Sequence, residues 1–133
     1  MPITYTIDPA QRLVLVTIRE PYTLDDIRTI IPTMLADPRY VPGFSGLIDR
    51  RGVEDVPTTP HVQQAVRLLS AHAAAFGPCR WAVVVDRIAT YGMGRMTATL
   101  LQPSGLTLEI CTTLEQAYRW LGIDPPQERS TEG

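Results

Sequence analysis

Trp81-Ala82-Val83-Val84-Val85-Asp86 is the stretch that decides the fold. A strand with one wet face alternates apolar and polar residues. This one is apolar at every position until it stops on a carboxylate, so both of its faces are covered, the pattern of a central strand in a parallel sheet. Its surroundings agree. Upstream, Gly77-Pro78 ends a helical pattern that begins at Thr59-Pro60, a capping hydroxyl followed by proline at the first helical position. Val62, Val66, Leu69, Ala73 and Phe76 mark the buried side of that helix. Downstream, Ala89, Met93, Met96 and Leu100 repeat at helical spacing, and Ser104-Gly105 turns the chain into a further strand, Leu106 to Cys111.

The same reading extends to both ends. Ile3, Tyr5 and Ile7 alternate with Thr4 and Thr6, and Asp8-Pro9-Ala10-Gln11 turns them into the β-branched strand Leu13 to Ile18. Thr23 caps a helix whose first turn holds Asp25 and Asp26 and whose apolar face is Leu24, Ile27, Ile30, Ile31, Met34 and Leu35. Pro32 predicts a kink there. A loop over residues 37–43 leads to the strand Phe44 to Asp49, and a second loop runs from Arg50 to Thr58. Thr113 with Gln116 forms a capping box for the last helix, which stops at Gly122. The order ββαβαβαβα predicts a single α/β domain over residues 1–122, mainly a parallel sheet preceded by an antiparallel hairpin. Residues 123–133, polar and Pro-containing, are expected to form a tail.

Composition excludes several classes. The chain has 133 residues, 44% hydrophobic, enough for one core. Its formal net charge of −2, with both signs interspersed, gives no footprint for nucleic acid. No apolar run approaches the roughly 20 residues that span a bilayer. The start, Met1-Pro2-Ile3-Thr4-Tyr5, has no signal-peptide pattern, so a cytoplasmic location is expected. All 12 Lys+Arg residues are arginine, which excludes lysine Schiff-base chemistry and a Walker-type phosphate loop. Cys79 and Cys111 sit at opposite ends of neighbouring strands, roughly 15–20 Å apart at about 3.3 Å per residue. A disulfide needs Cα atoms within about 7 Å, so two free, buried thiols are expected. His61 and His72 are roughly 16 Å apart along their helix, too far to share a metal, and both are expected to face solvent. No metal site and no cofactor are expected.

Beyond these patterns, residues 3–122 resemble a STAS-like domain, the SpoIIAA-like fold of anti-sigma-factor antagonists, and its SpoIIAA-like bacterial branch in particular. The resemblance rests on the element order and on three segments. These are Gly46-Leu47-Ile48-Asp49-Arg50-Arg51-Gly52-Val53, Ala89-Thr90-Tyr91-Gly92-Met93-Gly94-Arg95-Met96, and Leu114-Glu115-Gln116-Ala117-Tyr118-Arg119-Trp120-Leu121-Gly122. It implies a non-catalytic regulatory, protein-interaction or ligand-binding module, often self-associating, and a homodimer is expected. The chain departs from phosphorylatable members of that family, which carry an acceptor serine after the middle strand. No serine occurs from Asp49 to Pro60.

Open parallel sheets bind ligands at the carboxyl ends of their strands, where helix N-termini favour anions. Arg50, Arg51 and Arg87 stand there as a candidate carboxylate or phosphate clamp. The alternative is local pairing with Asp49 and Asp86. Those two carboxylates have no matching nucleophile or electrophile, so an enzyme is not expected. Tyr91 and Arg95, one helical turn apart, are candidates to flank a pocket or a dimer seam. Gly92 and Gly94 lack the third glycine of a dinucleotide fingerprint and suit close packing instead. A second functional reading is therefore a binder or carrier of a small apolar or anionic ligand, with the methionines of the third helix adapting to its shape.

Overall fold

The computed structural model describes residues 2–124. Strands β1 (Ile3–Asp8) and β2 (Leu13–Ile18) pair antiparallel, with Ile3 opposite Ile18. The Asp8 carboxylate closes the hairpin by accepting from the backbone N–H of Ala10 at 3.1 Å and Gln11 at 3.3 Å. Strands β3 (Ser45–Asp49), β4 (Cys79–Val84) and β5 (Leu106–Cys111) follow, all parallel to β2, in the spatial order β1-β2-β3-β4-β5. Helix α1 (Leu24–Leu35) links β2 to β3, α2 (Thr59–Ala71) and α3 (Ala73–Phe76) link β3 to β4, α4 (Ile88–Leu101) links β4 to β5, and α5 (Leu114–Leu121) follows β5. The chain is thus one α/β domain with a mixed sheet, as the sequence predicts.

The sequential strand order fixes the layering. Each crossover advances one strand in the same direction, so right-handed connections place α1, α2 and α4 on one face of the sheet. That face carries Ile3, Val16, Ile18, Ile48, Trp81, Val83, Leu106 and Ile110. The opposite face carries Leu13, Leu47, Ala82, Val84 and Cys111, and α5 covers it with Ala117, Tyr118 and Leu121. Strand β4 serves both layers, which is why its sequence shows no alternation. It is internal but not central: β3 holds the middle and β4 lies between β3 and β5.

Several local expectations are refined. Thr23 and Asp26 form a full capping box, each side chain bonding the other's backbone N–H. Pro32 stands inside α1 without ending it. Thr58, not Thr59, caps α2, its hydroxyl accepting from the N–H of His61 at 3.3 Å. The long helical pattern before β4 breaks at His72, whose φ of −106° and ψ of 13° separate α2 from α3. Cys79 and Cys111 are free, buried and on opposite faces of the sheet. Ile123 and Asp124 continue past Gly122, and the rest of the expected tail, residues 125–133, lies outside the described residues. Among the described residues no helix is long and apolar enough to cross a membrane.

Candidate functional site

A cavity of about 190 Å³, partly open to solvent, lies between the sheet and helices α1, α2 and α4. Small residues explain why it exists. A Cβ on Gly94 would lie 2.9 Å from Ile110 Cδ1, so glycine lets α4 settle directly on β5. A Cβ on Gly46 would lie 2.1 Å from Trp81 Cδ2, so glycine lets the indole lie across β3 as part of the floor. Phe76 pins that indole edge-on at 5.9 Å. Helix α2 bridges α1 and α4, while α4 and α5 pack on the sheet itself. The space under α2 is left as the cavity, walled by Ile27, Met34, Val62, Ala65 and Met93 among others.

Four polar side chains interrupt this apolar lining near the carboxyl end of the strands: Tyr22, Arg50, His61 and Thr90. Strand alternation sets the first of the arginines. Asp49 ends β3 on the α5 side, and the next residue, Arg50, turns to the cavity side. Arg50 Nη1 donates to the Tyr22 hydroxyl at 2.8 Å, and its guanidinium carbon lies 5.4 Å from the centre of the Tyr22 ring. Its Nε and Nη2 are buried with no hydrogen-bond partner in the protein. No carboxylate forms an ion pair with Arg50 among the described residues. The neighbouring carboxylate, Glu20, instead accepts from the backbone N–H of Asp55 at 2.9 Å.

The His61 ring stands edge-on to Tyr22 at 6.1 Å. Burial, and then the positive charge of Arg50, push its pKa below the ordinary histidine value, so it is neutral at neutral pH. His61 is therefore half-buried in the cavity wall and not on the solvated face of its helix, because Tyr22 from the loop before α1 and Arg50 from the loop before α2 stand against it. Thr90, in the first turn of α4, is only 5% exposed, and its hydroxyl has no partner.

The other sequence-predicted residues lie elsewhere. Arg51 is bound bidentately by Asp49, Nε to Oδ1 and Nη2 to Oδ2, both at 2.9 Å, on the α5 side. Arg87 is exposed and pairs with Glu54 at 3.4 Å. Asp86 accepts from the N–H of Gly52 at 2.9 Å. The three arginines therefore do not share one site: Arg50 enters the cavity, and Arg51 and Arg87 make local pairs. Arg95, exposed, reaches the Tyr91 hydroxyl with Nη1 at 3.4 Å, and Tyr91 packs half-buried on Val83, Val85 and Ile110; neither lines the cavity. His72 closes α2 and lies outside the cavity. Among the described residues, no three His, Cys, Asp or Glu side chains gather as metal ligands.

Sequence reasoning missed Tyr22, His61 and Thr90. The only local signal was Thr90, a polar residue at a core-facing position of an apolar helix. A comparison of the chain with protein-family models, curated proteins and solved structures finds no match.

Proposed function

We propose that the protein is a non-catalytic binder of a small, mainly apolar ligand, held between the sheet and α2. The observation that carries this reading is the cavity, whose lining is apolar apart from the four side chains named above, the Thr97 hydroxyl, which donates to the Met93 carbonyl at 3.0 Å, and the indole of Trp81. Close-packed interiors rarely leave such space. A hollow lined by apolar side chains forfeits packing contacts and so lowers stability. Domains as a whole are stable by only about 5–15 kcal/mol. A ligand that fills the space returns that loss as binding energy. Asp49 and Asp86, the carboxylates that would serve an enzyme, are held by Arg51 and Gly52 and do not line the cavity.

Titration with toluene, followed by the methyl NMR signals of Met34, Ile48 and Met93, tests this. Saturable shifts confined to cavity-lining methyls support the reading, and their absence removes it.

A protein-interaction module, the role implied by the STAS-like resemblance, has one observation in its favour. Ile88 at the start of α4 is 93% exposed, and Val56 in the loop before α2 is 42% exposed. Self-association through these residues is tested by sedimentation. A dimer lost in Ile88→Ser supports it, and a monomer at every concentration counts against it.

A further inference from the structure

We infer that the cavity is built for a compact monocarboxylic acid, its carboxylate on the free edge of Arg50 and its apolar body under α2. This rests on the binding function proposed above and names the ligand class. A guanidinium stays charged in proteins, and a buried donor without a partner forfeits a hydrogen bond. Arg50 Nε and Nη2 are two such donors, adjacent and coplanar, the edge that matches the two oxygens of a carboxylate. Nη1 is already committed to Tyr22, which fixes the direction the free edge faces. The Thr90 hydroxyl, buried and unpartnered in the same lining, supplies a further donor.

Charge selects among anions. Arg50 is the one residue of the lining that carries a formal charge at neutral pH, since burial and Arg50 itself keep His61 neutral. That one positive charge, with the Glu20 carboxylate nearby but turned to the Asp55 N–H, suits at most a monoanion. A phosphate dianion would bring a second charge into apolar surroundings with nothing to meet it. Size selects among acids. A cavity of about 150 Å³ holds benzene, so the present 190 Å³ suits a body of about seven to nine non-hydrogen atoms. A medium-chain or aryl acid fills the covered volume, and the tail of a long-chain lipid would extend beyond it.

The test is calorimetric titration with octanoate, 1-octanol, octyl phosphate and hexadecanoate, on the wild type, Arg50→Met and Thr90→Val. Octanoate is expected to bind at least tenfold tighter than octanol. Arg50→Met should bring octanoate to the level of octanol while leaving octanol unchanged, which also shows that the variant is folded. Thr90→Val should weaken octanoate several-fold. Octyl phosphate and hexadecanoate should not exceed octanoate. Equal affinities for octanoate and octanol would overturn the assignment, as would a tenfold preference for octyl phosphate or hexadecanoate. If Arg50→Met does not fold, the wild-type series decides alone. Saturable toluene binding without a preference for octanoate leaves the binding function standing and removes only the ligand class. No binding of either removes both.

Discussion

At the scale of single residues, three glycines with one shared chemistry have three different reasons to exist. A methyl on Gly46 would enter the Trp81 ring, which Phe76 holds in place, so Gly46→Ala should destabilise by more than about 2 kcal/mol. A methyl on Gly94 meets the flexible end of Ile110, and the gain in helix propensity offsets part of the strain. Gly94→Ala should therefore cost about 1 kcal/mol or less. Gly92 has open space around its Cβ position, so Gly92→Ala should stabilise by about 0.5–1 kcal/mol. Chemical denaturation of the three variants checks the order, and a Gly46→Ala protein as stable as the wild type would show that the indole does not lie across β3. His61 makes a pH prediction. Its folded pKa is lowered, so the unfolded chain takes up the proton more readily. Stability is then full above the ordinary histidine range, around pH 6.5, and falls as pH drops through that range toward the folded value. The wild type should lose more melting temperature than His61→Gln between about pH 7.5 and 5. An NMR titration of His61 with a midpoint at or above the ordinary value would contradict this.

At the scale of elements, α2 differs from its neighbours. Helix α5 rests on β4 and β5, and α4 on β5, but α2 roofs a cavity. Its amides should exchange faster than those of Val83 and Val84 in β4, and ligand should slow them. Filling the space from α2 tests the same idea. Ala65→Leu extends a side chain from the roof into the cavity and should raise stability by about 0.5–2 kcal/mol while weakening toluene and octanoate binding together. A destabilised Ala65→Leu that still binds both would mean that the roof does not cover the site. Helix α1 depends on its cap instead: Thr23→Ala breaks the capping box with Asp26 and should cost about 1 kcal/mol.

At the scale of the whole molecule, one five-stranded sheet separates two unequal layers. The thin layer, with α5 alone, is closely packed around Ala82, Val84, Cys111 and Tyr118. The thick layer, with three long helices, holds the cavity. The cysteines are divided between the layers, and burial raises the pKa of both thiols, that of Cys111 to about 11. Neither thiol should react with a disulfide reagent faster than the protein unfolds, and reductant should leave the melting temperature unchanged. Rapid modification of either in the native protein would show an opening that this packing excludes.

The sequence by itself determined what depends on neighbours along the chain. Alternation in Ile3 to Asp8, the unbroken apolar run from Trp81, the Thr23 and Thr113 caps and the stop at Gly122 are local signals, and each produced its element. The α/β class and the antiparallel hairpin followed from their order. Only the tertiary structure decided which strand took the middle of the sheet, because strand order is a choice among packings with the same local patterns. It also decided the fate of the arginines. Arg50 and Arg51 are adjacent in sequence, and the pleat sends them to opposite faces, one into an apolar cavity and one onto Asp49. Tyr22, His61 and Thr90 come from three separate segments and carry no shared motif. They line one cavity, and a hollow is a property of packed volumes that no single stretch of chain encodes.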